Sequence, residues 1–201
     1  MSLFRKIFGL KYTPEDKIKS EERGKYMPEI KLPIDEKFTI NFKANGGKFL
    51  YCENMGEVHK SLHNILQEND WEGMNVFLLD TRLKDLFKDF DLPITRKPEE
   101  GQYFLSTCEY LIADDGSLLI SSNQIAEKKL GDLPANFIIY ATTSQFVENI
   151  GEGLRGIKNK NKDKIPTNIT TIKHFKTIED KNFLSYGSSS KNLYLLLLED
   201  L

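Results

Sequence analysis

From residue 38 onward, short apolar runs alternate with stripes of apolar residues at helical spacing. Apolar runs of about four to eight residues predict buried strands, whereas apolar residues at positions i, i+3, i+4 and i+7 predict amphipathic helices. The predicted strands cover residues 48–52, 75–79, 110–113, 118–121, 137–141 and 192–199. The predicted helices cover residues 38–45, 55–66 and 81–90, and a fourth is expected to include residues 146–154. This alternation favours an α/β fold with a mainly parallel sheet.

Polar residues and glycines mark several element ends. The glycine pair at 46–47 is expected to end the first helix. Asn54 is a predicted N-cap, and Glu57 follows three residues later, as in a capping box. Thr142 or Thr143 is expected to cap the fourth helix.

Composition limits the class of protein. The chain has 201 residues, which favours one domain with a sizeable core, and a net charge of −2, which does not favour a dedicated nucleic-acid binder. No apolar run approaches the roughly 20 residues that span a bilayer, and the N-terminus lacks a secretory signal pattern, so we expect a cytoplasmic protein. Its 2 cysteines are too few for an iron–sulfur cluster, which typically needs about four thiolates.

The two ends of the chain differ in character. Residues 1–31 carry eight basic and five acidic side chains and are expected to form a flexible N-terminal arm, with residues 32–201 as the α/β domain. Residues 155–176 carry seven basic side chains against Asp163 alone. Within them, the run at 158–164 could attract phosphate or nucleic acid, but it contains no aromatic residue for stacking bases, and a solvated loop is the simpler interpretation.

A four-residue turn is the first candidate for chemistry. Asp114, Asp115, Gly116 and Ser117 stand between two apolar runs, and Asp-Gly is a favoured hairpin turn. The same four residues can also form one wall of a ligand site, because loops on a rigid scaffold often carry function. Both interpretations remain open from the residues alone.

A second candidate loop precedes the last predicted strand. Gly187, Ser188, Ser189, Ser190 and Lys191 combine backbone freedom, hydroxyl groups and a cation, so the loop can cradle an anion through its N–H groups. It lacks the Gly-Lys-Ser/Thr core of a P-loop, and a strand rather than a helix follows it. The alternative is a plain connecting loop.

Histidine and cysteine offer weaker candidates. His59 and His63 share a helix face at i and i+4 but lack an obvious third ligand, so surface histidines are expected rather than a metal site. Cys108 stands beside Glu109, but activation would need a base, and the sequence does not place His174 near it. A buried, inert cysteine is expected.

Several of these segments together resemble the LUD-domain family, which includes lactate utilization proteins B and C. The match runs from about residue 38 to the end of the chain, and each of its parts is short. Asp114 takes the place of a glutamate in the family motif I-A-E-T-G-T-L-V-L, and serines replace the histidine and proline of its terminal loop. The similar segments are the helix and Gly-Gly pair at 38–48, Ile112–Ile120, Leu133-Pro134, 137–141, 145–157 and 186–199.

The resemblance implies a fold and a site. The family is similar to the NagB/RpiA/CoA-transferase-like group, so the implied architecture is a three-layer α/β/α Rossmann-like domain with its ligand site at strand ends. In CoA transferases of that group a glutamate two residues before a glycine is the nucleophile, and Asp114 stands at that place before Gly116. The implied catalytic residue is therefore Asp114, with Asp115, Gly116, Ser117 and the loop from Gly187 to Lys191 as ligand-binding residues.

Three functions follow from the resemblance. The first is an accessory or ligand-binding subunit of a lactate-utilization-like system, which oxidises L-lactate to pyruvate with iron–sulfur centres on partner chains and no cofactor in this chain. Its ligand would be a small carboxylate or a phosphate-bearing molecule. The second is a stand-alone CoA-transferase-like or sugar-phosphate-isomerase-like enzyme that uses Asp114. The third is a degenerate interaction module.

Overall fold

The alternating strands and helices form a parallel sheet with helices on both faces, as the sequence predicts. The structure is a computed structural model that describes residues 32–175 and 191–200. In these residues the helices are α1 (Ile34–Ala44), α2 (Met55–Glu68), α3 (Thr81–Leu86), α4 (Ser122–Ile125) and α5 (Ile150–Lys160). The strands are β1 (Lys48–Cys52), β2 (Val76–Phe77), β3 (Ile94–Thr95), β4 (Tyr103–Thr107), β5 (Tyr110–Ile112), β6 (Ser117–Ile120), β7 (Asn136–Thr142), β8 (Phe146–Val147), β9 (Thr170–Ile172) and β10 (Asn192–Leu198).

Six of the described strands form the main sheet in the order β1-β10-β7-β4-β2-β3, and every neighbouring pair is parallel. Leu195 of β10 lies opposite both Phe49 of β1 and Ile139 of β7. Strands buried on both faces need apolar residues at every position, which explains the unbroken apolar runs of β7 and β10.

The alternation of side chains along these strands divides the core in two. On β10, Leu193, Leu195 and Leu197 face α1 and a second, smaller sheet formed by β8, β5, β6 and β9. Tyr194 and Leu196 face α2 and α3. Both groups are almost completely buried. The strand therefore packs against both neighbouring layers at once.

A smaller sheet of the described residues has the order β8-β5-β6-β9 and lies on the α1 side of the main sheet. Strands β5 and β6 form the predicted hairpin, which is antiparallel, with Tyr110 opposite Leu119. Ile157 of α5 packs against the outer face of this hairpin, next to Ile112. Helix α5 is thus separated from the main sheet by the hairpin.

Helices α1 and α2 end close to where the sequence predicts, and α2 also begins there, whereas α1 begins one turn earlier than predicted, at Ile34. In α1, Phe38 and Phe42 stack one turn apart on the buried face, with ring centroids 5.3 Å apart, and Gly46 takes a positive φ of 89° just after the helix. Asn54 caps α2 by accepting from the Glu57 amide. The Glu57 carboxylate accepts from the amide of Glu53 rather than of Asn54.

The prediction for the fourth helix was wrong at its start. Neither Thr142 nor Thr143 caps a long helix, because a single 3-10 turn, Thr143–Gln145, and strand β8 come first. Helix α5 begins at Ile150, capped by Asn149. The β8 residues are held in extended backbone by parallel pairing with β5, in which Phe146 lies opposite Leu111.

Strand β4 was not predicted, although it lies between β2 and β7 in the main sheet and four of its five residues are buried. Strands β3 and β9 were also missed, and β2 and α3 are shorter than predicted. The predicted arm at 1–31 lies outside the described residues. No helix in the described ranges is long and apolar enough to cross a membrane.

Candidate functional site

A cleft of about 910 Å³ lies at the carboxyl ends of β2, β4 and β7. In open parallel α/β sheets, ligands typically bind at this edge, because loops leaving neighbouring strands meet there. Most of its walls come from three segments at the ends of these strands, at residues 79–83, 107–109 and 142–145. Helix α4 and the end of α5 also contribute.

Glu109 places a carboxylate in this cleft, two residues after the end of β4. Its Oε1 atom accepts from Ser121 Oγ at 2.6 Å and from Asn123 Nδ2 at 2.8 Å. Both donors lie at the start of α4, where Ser121 is the N-cap. The carboxylate is therefore held in one orientation and retains acceptor capacity for a ligand.

Gln145 fixes the backbone on which Glu109 stands. Its Nε2 atom donates to the carbonyl oxygen of Cys108 at 2.6 Å and of Glu109 at 3.2 Å, and its Oε1 accepts from the Thr142 amide at 2.8 Å. One side chain thus joins the ends of β4 and β7. This arrangement makes Gln145 a positioning residue for the cleft.

Arg82, at the start of α3, brings a cation to the cleft. The Asp80 carboxylate accepts two hydrogen bonds from the Arg82 guanidinium: Nη2 lies 2.6 Å from Oδ2, and Nε lies 2.9 Å from Oδ1. Hydrogen bonding to this guanidinium lowers the pKa of Asp80, and the Asp80 carboxylate raises the pKa of Arg82. Within the described residues Nη1 has no acceptor, so the outer side of the guanidinium can bind an anion.

Lys160, the last residue of α5, brings a second cation to the cleft. Its Nζ atom lies 4.7 Å from the centroid of the Tyr110 ring, a cation–π contact that orients the side chain. No carboxylate in residues 32–175 or 191–200 forms an ion pair with Lys160. Its positive charge is therefore available to a bound anion.

Asp200 supports the wall of the cleft that residues 142–145 form. Its carboxylate accepts from the Ser144 amide at 2.8 Å, from Ser144 Oγ at 2.7 Å and from Thr143 Oγ1 at 2.9 Å. Partial burial acts to raise the pKa of Asp200, but these hydrogen bonds outweigh it and the pKa is lowered. The turn after β7 is fixed to the end of β10 as a result.

Cys108 lines the cleft, but its thiol is not arranged as a nucleophile. The side chain is buried, and burial, together with the charge of Glu109, raises the pKa of the thiol far above its ordinary value. A thiolate is the reactive form of cysteine, so the thiol is unreactive. The sequence interpretation of an inert cysteine fits this geometry.

The predicted catalytic residue, Asp114, lies elsewhere. It follows β5 and is not among the residues that line the cleft. Lys37 of α1 bridges Asp114 Oδ1 and Glu148 Oε1 at 2.6 Å each, and hydrogen bonding to Asp114 and then Glu148 raises the pKa of Lys37 to about 12. The carboxylate of Asp114 thus joins the hairpin to α1.

The rest of the Asp114–Ser117 turn also packs against α1. Asp115 Oδ1 accepts from the amide of Ser117 at 3.1 Å and from its hydroxyl at 2.6 Å, and Ser117 is completely buried. Asn45 Nδ2 donates to the Asp115 carbonyl at 2.7 Å. Gly116 has a positive φ of 67°. These contacts give the turn a structural role as the junction between hairpin and helix.

The predicted glycine–serine loop is described only at its last residue. Gly187, Ser188, Ser189 and Ser190 lie outside the described residues, and their predicted role stays a prediction. Lys191 is buried, and its Nζ atom donates to the carbonyl oxygens of Leu133 and Pro134 at 3.0 Å each.

The two helical histidines each have an ordinary structural contact. His59 packs against Phe87 and Phe90, and one of its ring nitrogens lies 3.0 Å from the Leu86 carbonyl oxygen. His63 lies 3.5 Å from a Glu72 carboxylate oxygen. In the described ranges no group of three or more His, Cys, Asp or Glu residues is placed to hold a metal ion.

Sequence reasoning missed most of the cleft residues. Glu109 was considered only as a neighbour of Cys108, and Lys160 only within a basic segment expected to be a solvated loop, although it is the last residue of α5. Neither Arg82 nor Gln145 was considered as a site residue. The available signal was the run Y-F-L-S-T at 103–107, followed at once by Cys108 and Glu109. A polar residue directly after a buried strand marks the functional edge of a parallel sheet.

Comparison with known proteins agrees with the resemblance found in the sequence. A profile of the LUD domain matches residues 36–198. Among solved structures, a DUF162 family protein from Deinococcus radiodurans is similar with a TM-score of 0.57 and 10% sequence identity, over 86% of this chain and 100% of that chain. At that identity the likeness shows the fold alone. The search of curated proteins finds no match.

The profile match begins inside α1 and ends with β10, so it covers both sheets and every loop that lines the cleft. The mainly parallel sheet with helices on both faces agrees with the Rossmann-like architecture that the resemblance implies. On this evidence the chain belongs to the LUD-domain family.

Proposed function

We propose that this chain is a ligand-binding subunit of a lactate-utilization-like system, and that its cleft binds the 2-hydroxycarboxylate group of an organic acid. The observation that carries the proposal is the grouping of Glu109 with Arg82 and Lys160 at the carboxyl edge of the sheet. The family supplies the association with lactate utilization.

The three side chains match the two functional groups of such an acid. A carboxylate needs cationic donors, which the outer side of Arg82 and the ammonium of Lys160 offer. A neighbouring hydroxyl needs an acceptor, which the Glu109 carboxylate offers, since an ionised carboxylate only accepts. Charges of both signs in one cleft favour a ligand that carries both an anion and a hydrogen-bond donor.

The same proposal places the redox chemistry on partner chains. The chain has 2 cysteines, and both are buried, with Cys52 lying 3.7 Å from Ser61 Oγ. Cysteine ligation of an iron–sulfur cluster typically takes about four thiolates. The residues of this chain therefore do not fit such a cluster, and in this proposal they bind and orient the acid.

Calorimetric titration with L-lactate and propionate tests the binding step, because propionate has the same carbon chain without the hydroxyl. We expect L-lactate to bind about tenfold more tightly than propionate, because propionate has no hydroxyl to donate to the remaining acceptor positions of Glu109. Glu109→Gln is expected to remove this difference, and Asp114→Asn is the matched control.

Two outcomes would contradict the proposal. Equal binding of L-lactate and propionate would remove the role of Glu109. Loss of binding in Asp114→Asn, with Glu109→Gln unaffected, would place the site at the hairpin turn instead.

Affinity purification of the tagged protein from its native cells, followed by mass spectrometry, tests the partner step. Co-purification of iron–sulfur subunits, in amounts comparable to the tagged chain, is expected. A protein that is recovered alone under conditions that preserve complexes would contradict the subunit role and leave only the binding step.

A further inference from the structure

A second hollow of about 310 Å³ lies where β2 and β3 end. It shares Leu79 and Thr81 with the larger cleft, so the two hollows adjoin at the segment that joins β2 to α3. The residues that line it are Leu78, Leu79, Thr81, Lys84, Ile94 and Arg96.

Lys84 of α3 and Arg96, directly after β3, bring two cations to this second hollow. In the described part of the chain neither forms an ion pair with a carboxylate. The neighbouring Lys97, in contrast, is paired with Glu100 at 2.7 Å. Two unpaired cations on one hollow create a positive potential that a bound anion would neutralise.

Apolar side chains line the second hollow, and one of them also lines the larger cleft. Leu78 is buried, Leu79 reaches both hollows, and Ile94 is one of the large apolar side chains that remain exposed. Apolar carbon atoms of a ligand lying along these side chains would lose contact with water, which is favourable. The surface therefore fits a molecule with an anionic group at each end and a carbon chain between them.

The volume of the larger cleft also favours an elongated ligand. Sites of about 300–1,000 Å³ typically enclose molecules of drug size. At about 910 Å³, the larger cleft has room for far more than a three-carbon acid. A 2-hydroxycarboxylate group would fill one part of it and leave space for the rest of a longer ligand.

We propose that the ligand is an elongated 2-hydroxy dicarboxylate or a similar organic dianion. Its hydroxycarboxylate end lies by Glu109, Arg82 and Lys160, and its second anionic group lies between Lys84 and Arg96. The inference rests on the proposed function for the position of the first group. It adds the second hollow, the second charge and the apolar spacer.

The test compares diacids with monoacids of equal carbon number by calorimetric titration. The probes are 2-hydroxyglutarate against 2-hydroxypentanoate, and 2-hydroxyadipate against 2-hydroxyhexanoate. At least one diacid is expected to bind about tenfold more tightly than its monoacid, because two charge-assisted contacts are added. The double variant Lys84→Gln/Arg96→Gln is expected to remove this gain and leave the affinity for the monoacid unchanged.

A matched control separates local contacts from net charge. The double variant Lys60→Gln/Lys88→Gln removes the same charge from exposed positions that line neither hollow. It is expected to retain the full gain for the diacid. A loss of gain in this control equal to that in the test variant would overturn the inference.

The remaining outcomes distinguish this inference from the proposed function. The inference is overturned if a diacid binds no more tightly than its monoacid, or if the gain persists without Lys84 and Arg96. In either case, monoacid binding that depends on Glu109 would still support the proposed function. Diacid binding without measurable monoacid binding supports the inference only if it is lost in the Lys84/Arg96 variant. No binding of either probe by the wild type overturns both.

Discussion

Gly116 lies directly against Phe42: a Cβ atom added to Gly116 would lie 2.3 Å from the backbone nitrogen of Phe42. The hairpin turn therefore touches the backbone of α1, and the two are joined further by Asn41, whose side-chain amide donates to the Ala113 carbonyl at 2.8 Å and the Asp114 carbonyl at 3.1 Å. A glycine is required here for two separate reasons, its positive φ and the close approach.

Gly116→Ala is expected to lower the free energy of unfolding by about 3 kcal/mol, because both the positive φ and the clash with α1 oppose a side chain. Gly73→Ala is the matched control, since Gly73 has a similar φ of 69° and nothing within 4 Å of an added Cβ. Its expected cost is about 1 kcal/mol. Urea denaturation measures both, and equal costs would show that the contact with α1 contributes nothing.

Gln145→Ala is expected to weaken binding of L-lactate by about fivefold, because it frees the backbone that positions Glu109. It is also expected to cost about 1–2 kcal/mol of stability, since the Cys108 carbonyl loses its donor. Gln67→Ala, at an exposed position of α2, should change neither quantity. If the Gln145→Ala protein folds and its affinity for L-lactate is unchanged, Gln145 does not position Glu109 for binding.

Neither cysteine is expected to react with Ellman's reagent in the native protein. Cys52 and Cys108 are both buried, and burial raises the pKa of each thiol. Both thiols of the chain should react rapidly in concentrated guanidinium chloride, where unfolding makes them accessible. Rapid release of one equivalent of chromophore under native conditions would contradict the buried position of one of them.

The contribution of Asp200 to stability is expected to disappear in acid. Its pKa in the folded protein is below the ordinary value of 3.8, so the carboxylate stabilises the fold fully above that value and progressively less as the pH falls through the folded pKa. In Asp200→Asn the carboxylate is absent. The difference in unfolding free energy between wild type and variant should be constant above about pH 5 and shrink below about pH 4. A difference that does not change with pH would contradict the lowered pKa.

Part of the fold could be predicted because three neighbouring strands of the main sheet, β1, β10 and β7, consist largely of apolar residues. The runs at 48–52, 137–141 and 192–199 need no information beyond their own residues. Strand β8 could not be found this way, since pairing with β5 rather than local preference holds Phe146 and Val147 extended.

The candidate site was harder to predict because it depends on strand order. Asp114 and Glu109 are both carboxylates next to a strand, five residues apart in the sequence. Glu109 follows β4, which lies inside the main sheet, whereas Asp114 follows β5 in the smaller sheet. With β4 unrecognised, nothing in the local pattern distinguished the cleft carboxylate from the one that pairs with Lys37.

The place of β10 has a consequence for how the domain is made. This strand comes late in the chain, yet it lies between β1 and β7 in the main sheet. During synthesis from the N-terminus, β1 therefore has no neighbour among the described strands of that sheet until residues 192–198 have left the ribosome. Such long-range pairing slows folding and leaves apolar strand edges exposed meanwhile. The nascent chain is thus expected to need protection from aggregation until β10 inserts and joins the two parts of the sheet.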